Sequence, residues 1–86
     1  MNTMFREELA SIPSNVRAQF NLTYDVAERL DSLLTQKGIT QRALAQKLGK
    51  RESEVSRWLT GRHNFTLHTI ALIEDALGEK LIEVTN

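Results

Sequence analysis

The sequence predicts an all-α domain, and three observations carry that expectation. Apolar residues recur at helical spacing in four successive segments. Each segment has a glycine just beyond its end, at Gly38, Gly49, Gly61 and Gly78. Threonines stand ahead of three of them, at Thr23, Thr40 and Thr66, where a first helical turn needs a side-chain acceptor.

The elements follow in chain order. Phe5, Leu9 and Ile12, then Val16 and Phe20, fit a helical stripe and predict an N-terminal arm of one or two pieces. Ser11 is its expected cap, with Ile12 and Pro13 in the first turn, where proline is tolerated. Thr23 then caps a helix over residues 24–36, whose inner face is Val26, Ala27, Leu30, Leu33 and Leu34. Thr40 caps a short helix reaching Leu48, with Leu44, Ala45 and Leu48 inward. After the basic turn Lys50-Arg51, a third helix carries Val55, Trp58 and Leu59 inward and stops near Gly61. Residues 60–66 leave room for a further short helical turn. Thr66 caps a helix over residues 67–77, buried through Leu67, Ile70, Ile73 and Leu77. Residues 80–84 alternate loosely through Leu81, Ile82 and Val84. This fits a short strand, which either frays or pairs with its own copy in a second subunit, because a lone strand is marginal.

Composition narrows the function. At 86 residues the chain makes one domain with a modest core, too short for an enzyme with its own cofactor domain. It has no cysteine, which removes disulfides, thiolate zinc sites and a cysteine nucleophile. His63 and His68 stand five apart with no cysteine or HExxH pattern, so neither metal nor cofactor is expected. No serine lies in a nucleophile elbow or at useful spacing from a histidine and an acid, and no enzyme activity is expected. No apolar run is long enough for a membrane, and the start, MNTMFREELA, lacks a signal peptide's basic-then-apolar order, so the expected location is the cytoplasm.

Net charge is zero, with 11 basic and 11 acidic residues, but they are not evenly spread. Residues 1–36 hold three basic against five acidic residues, 37–63 hold seven against two, and 64–86 hold one against four. A basic centre between acidic flanks is the footprint of a phosphate-binding face, although a solvated helix surface would give the same count. Within that centre, two short helices joined at a glycine are the parts of a helix-turn-helix. Ala45 and Gly49 lie one turn apart where the second helix must cross the first. A large side chain at Ala45 would hold the helices apart, and a Cβ at Gly49 would strain a turn expected to need positive φ. An ordinary helical hairpin in a small bundle is the alternative reading.

The stretch ITQRALAQKLGKRESEVSRWLTG, residues 39–61, resembles the helix-turn-helix of the Cro and phage-repressor family, also called the xenobiotic-response-element type. The resemblance rests on Thr40-Gln41, on Leu44, Ala45, Lys47, Leu48 and Gly49, on the run VSRW and on Gly61. It extends over residues 24–79, including the ALG at 76–78. It implies a five-helix lambda-repressor-like DNA-binding domain over residues 23–79, with an N-terminal helical arm at 1–22 and a tail at 80–86. In the family the second motif helix enters the major groove. That implies base reading by Glu52, Ser53, Ser56 and Arg57, which share one helix face. Arginine can pair bidentately with guanine and glutamate can accept from cytosine, each about 1–3 kcal/mol of discrimination. The plainer reading of Glu52 is an acid complementing the helix dipole, and that of Arg57 is pairing with Glu54 or Ser53.

Thr40 and Gln41 match the helix N-terminus that clamps a phosphate. Lys50, Arg51, Thr60, Arg62, His63 and Asn64 stand where further phosphate contacts are expected. Two departures stand out. Arg51 occupies a position where the family usually has serine or threonine as cap, so Ser53 is expected to take over and start the helix later. Leu34 and Leu59 replace a buried arginine–glutamate pair, a change that removes ion desolvation. The resemblance implies a homodimeric repressor on double-stranded DNA with a near-palindromic operator. The alternative is an antitoxin-type module that neutralises a toxin partner and regulates its own operon.

Overall fold

The computed structural model describes residues 11–85, so the expected contributions of Phe5 and Leu9 lie outside the described residues. Among the described residues four α-helices are complete: α1 (Ser14–Lys37), α2 (Gln41–Leu48), α3 (Glu52–Trp58) and α4 (Leu67–Leu77). Four helices among the described residues, not five, and no strand, correct the expected architecture within the all-α class.

α1 is one 24-residue helix where an arm and a separate helix were expected. It starts at Ser14, with Pro13 ahead of it at φ −54° and ψ 143°, so Ser11 is not its cap and Pro13 is outside its first turn. The Pro13 carbonyl accepts from the amides of Val16 and Arg17 at 3.0 and 3.1 Å. Thr23 is not a cap either. It is buried in mid-helix and its hydroxyl donates to the Gln19 carbonyl at 2.8 Å, the back-bond that lets a threonine satisfy itself inside a helix. With neither glycine nor proline between residues 14 and 37, nothing interrupts the turn-to-turn ladder.

The other caps match local chemistry. The Thr40 hydroxyl accepts from the Ala43 amide at 3.0 Å, and that of Thr66 from the Thr69 amide at 3.1 Å. α1 and α2 end in paired reverse bonds: Ile39 to Leu34 with Gly38 to Thr35, and Lys50 to Ala45 with Gly49 to Gln46. α2 packs against both α3 and α4, and the core gathers Val26, Leu30, Leu33 and Leu34 of α1 with Leu44, Ala45, Val55, Trp58, Ile70, Ile73 and Leu77. Leu48 and Leu59 are half-buried at its border. Leu67 corrects the inward reading of α4: as the first residue of the helix it overhangs the core and is 76% exposed. Residues 60–66 hold no further helical turn, because the Thr60-Gly61 corner turns the chain and residues 62–66 run on without regular structure.

The tail makes a latch in place of the expected strand. Leu81 is buried in the core, and its amide and that of Ile82 donate to Oε2 of Glu74 at 2.8 and 3.3 Å. Lys80 adds an ion pair to the other oxygen at 3.8 Å, and its carbonyl accepts from Nε of Arg29 at 3.1 Å. The backbone donors that a strand would offer to a neighbour are thus taken by a side chain of α4. The Leu81 amide, with the Ile82 amide and Lys80 behind it, outweighs burial and holds the Glu74 carboxyl below its ordinary value. A depressed acid contributes stability that is present above the ordinary carboxylate range and lost as the pH falls through the lowered value. Glu74→Gln should therefore be less stable than wild type near neutrality, with the gap in thermal midpoint closing in strongly acidic buffer. A gap independent of pH would show that the charge does not hold the tail.

Candidate nucleic-acid interface

The turn between α2 and α3 is built where two backbones approach. Ala45, 2% exposed, is small enough to lie under the crossing. Gly49 sits at φ 67°, in the left-handed region that side chains with a Cβ disfavour, so the chain reverses without strain. α3 then starts at Glu52, not later, which corrects the capping role expected of Ser53. The cap is shared differently: the Glu54 carboxylate reaches back to the Arg51 amide at 3.5 Å, a long contact at the edge of hydrogen bonding. A guanidinium has no acceptor to return the bond, so this is half of a capping box. Glu52 and Glu54 in the first turn also complement the helix dipole.

With Val55 and Trp58 buried beneath it, α3 presents the opposite face to solvent. Glu52, Ser53, Ser56 and Arg57 are all exposed on that face. The structure thus brings the four candidate base-reading side chains together on one uncovered surface. Among the described residues Arg57 makes no ion pair, so pairing with Glu54 does not hold it.

The flanks are equally open. Thr40 and Gln41 at the start of α2, and Lys50, Arg51, Thr60, Arg62 and Asn64 around α3, are exposed, and His63 is half-buried. Thr60 is the most constrained: its hydroxyl donates to the Arg57 carbonyl at 2.8 Å and accepts from the Arg62 amide at 3.2 Å. His63 meets Phe65 edge-on, with ring centroids 5.0 Å apart, and Phe65 lies 6.5 Å from Trp58, so aromatic contacts tie the loop to the core. Trp58 is a packing group, as expected of it, and Phe65 packs against the core beside it, while Phe20 stands 55% exposed on α1. The basic centre loses one cation to the acidic flank, since Lys37 pairs with Glu79 at 3.8 Å. Arg42, Lys47, Lys50, Arg51, Arg57 and Arg62 are exposed and make no ion pair among the described residues.

Sequence reasoning missed two supports of this surface. One is the reach of Glu54, signalled by an acid three residues after the cap position. The other is the seat of Gly61, at φ 81°, where a Cβ would come within 3.0 Å of Cδ2 of Tyr24. That close approach anchors the loop after α3 on α1, and no local pattern marks it.

Among the described residues no group of side chains could hold a metal ion, and no helix is long and apolar enough to cross a membrane. A family model described as helix-turn-helix matches residues 30–84, more than half of the chain. No curated protein and no solved structure matches it.

Proposed function

Because the chain belongs to the helix-turn-helix family of the Cro and phage-repressor type, whose members are DNA-binding transcription regulators, we propose that it represses transcription by occupying a near-palindromic operator as a homodimer. Two copies would place their α3 helices in successive major grooves, about 34 Å apart. Glu52, Ser53, Ser56 and Arg57 would read base edges. Thr40, Gln41, Lys50, Arg51, Arg62, His63 and Asn64 would hold phosphates, and Thr60 joins them by exchanging the Arg57 carbonyl for a phosphate oxygen. In this reading residues 23–79 are the DNA-binding unit, 1–22 an arm and 80–86 a tail, although α1 runs unbroken across the first division. The cytoplasm is the compartment this role requires.

The observation that carries the proposal is the uncovered outer face of α3, ringed by cations that no acid of the described residues neutralises. Phosphates would displace counterions there, so affinity should fall steeply with salt. The test is selection from a random duplex pool at several salt concentrations. Enrichment of a two-fold repeated half-site supports the reading. A pool that stays unstructured at every salt concentration rejects sequence-specific binding.

A further inference from the structure

The first half of α1 stands clear of the core. Its buried residues begin at Thr23, and residues 14–22 are exposed apart from a half-buried Val16. Arg17, Phe20, Tyr24 and Glu28 follow one another at spacings of three, four and four, which places them along one side of the helix. Phe20 and Tyr24 are 55% and 58% exposed, unusual for neighbouring aromatic residues, and Arg17 and Glu28 are exposed as well. Neither Arg17 nor Glu28 makes an ion pair among the described residues.

The order along this stripe is cation, aromatic, aromatic, acid. Reversed, it is its own complement. We propose that α1 pairs antiparallel with α1 of a second copy of this chain through Arg17, Phe20, Tyr24 and Glu28. With the two-fold axis between the aromatic positions, Phe20 of each copy lies against Tyr24 of the other, and Arg17 of each faces Glu28 of the other. A two-fold interface must be self-complementary, and this stripe meets that requirement in both shape class and charge. A parallel pairing would set like charges against each other. Beside Tyr24, a shallow hollow of about 280 Å³ is lined by Ala27, Glu28, Asp31, Leu59 and Gly61, so two carboxylates stand where the second copy's Arg17 would arrive. The inference rests on the two-copy reading above and names the surface that joins the copies.

Sedimentation of the full chain tests it. Wild type should dimerise at high micromolar concentration, and Phe20→Asp should abolish dimerisation. Arg17→Glu and Glu28→Arg alone should each weaken self-association about tenfold or more, because like charges then meet at both ends. Mixing those two variants restores opposite charges at both ends, so the mixture should form a heterodimer as tight as the wild-type dimer. Circular dichroism should show unchanged helix content, since all four positions are on the surface. Single variants that dimerise like wild type, or a mixture that pairs no better than its components, would overturn this interface. A wild type that stays monomeric with and without duplex would overturn the two-copy reading too. Binding of the single variants to a duplex carrying one selected half-site reports separately on DNA reading, which this interface does not touch.

Discussion

Leu44→Ala is expected to leave the chain largely unfolded. Leu44 is fully buried in α2, the helix that packs on both α3 and α4. Removing its branched end costs about 2–5 kcal/mol, as transfer free energy and cavity together. At roughly 0.05–0.15 kcal/mol per residue an 86-residue domain carries a margin of about 4–13 kcal/mol, so the loss is comparable with the lower end of that range. α2 has eight residues and could not persist without its tertiary contacts. DNA binding should disappear for every sequence alike, because α3 loses the platform that presents it. Leu48→Ala, half-buried at the edge of the same helix, should cost less and retain binding. Urea unfolding followed by circular dichroism and Trp58 fluorescence measures both. Equal losses from the two variants would show that α2 is not the keystone of the core.

Arg57→Ala and Gln41→Ala should divide specificity from affinity. Arg57 lies on the outer face of α3, and a bidentate arginine–guanine contact carries about 1–3 kcal/mol of base discrimination. Its loss should relax preference at one position of the half-site by roughly five- to 150-fold while the remaining positions stay selective. Gln41 is the first residue of α2, at a helix N-terminus that suits a phosphate. Its loss should lower affinity for all duplexes by a similar factor and leave the base preferences unchanged. Selection followed by salt-titrated binding resolves the two patterns. Uniform, sequence-blind losses from both variants would contradict the roles assigned to them.

The features that were legible from the sequence depend on neighbours close in the chain. Thr40 and Thr66 cap because a threonine hydroxyl whose own backbone is extended lies within reach of the amide three residues on. Gly49 turns the chain because its own φ is positive. The outer face of α3 could be inferred as the complement of Val55 and Trp58, since helical periodicity separates the two sides. Thr23 shows the limit of this kind of reading. Its side chain can cap a helix or bond back to the preceding turn, and only the continuity of α1 selects the second.

The remaining errors share a cause. Residues 80–84 alternate like a strand, but the amides of Leu81 and Ile82 found a carboxylate on α4. Leu67 has the spacing of a core residue, yet as the first residue of α4 it stays 76% exposed while Ile70, Ile73 and Leu77 are buried.

From its own order of residues, the chain specified the helical class, the cap and stop positions of α2 and α4 and which side of α3 faces outward. Each is set by bonds spanning a few residues, or by a period that holds within one helix. The docking of α2 on α4, the seat of Gly61 on Tyr24 and the Glu74 latch were settled only in three dimensions. They join parts of the chain whose meeting depends on the whole core closing, and short-range propensity carries no information about which donor and acceptor will then be within reach.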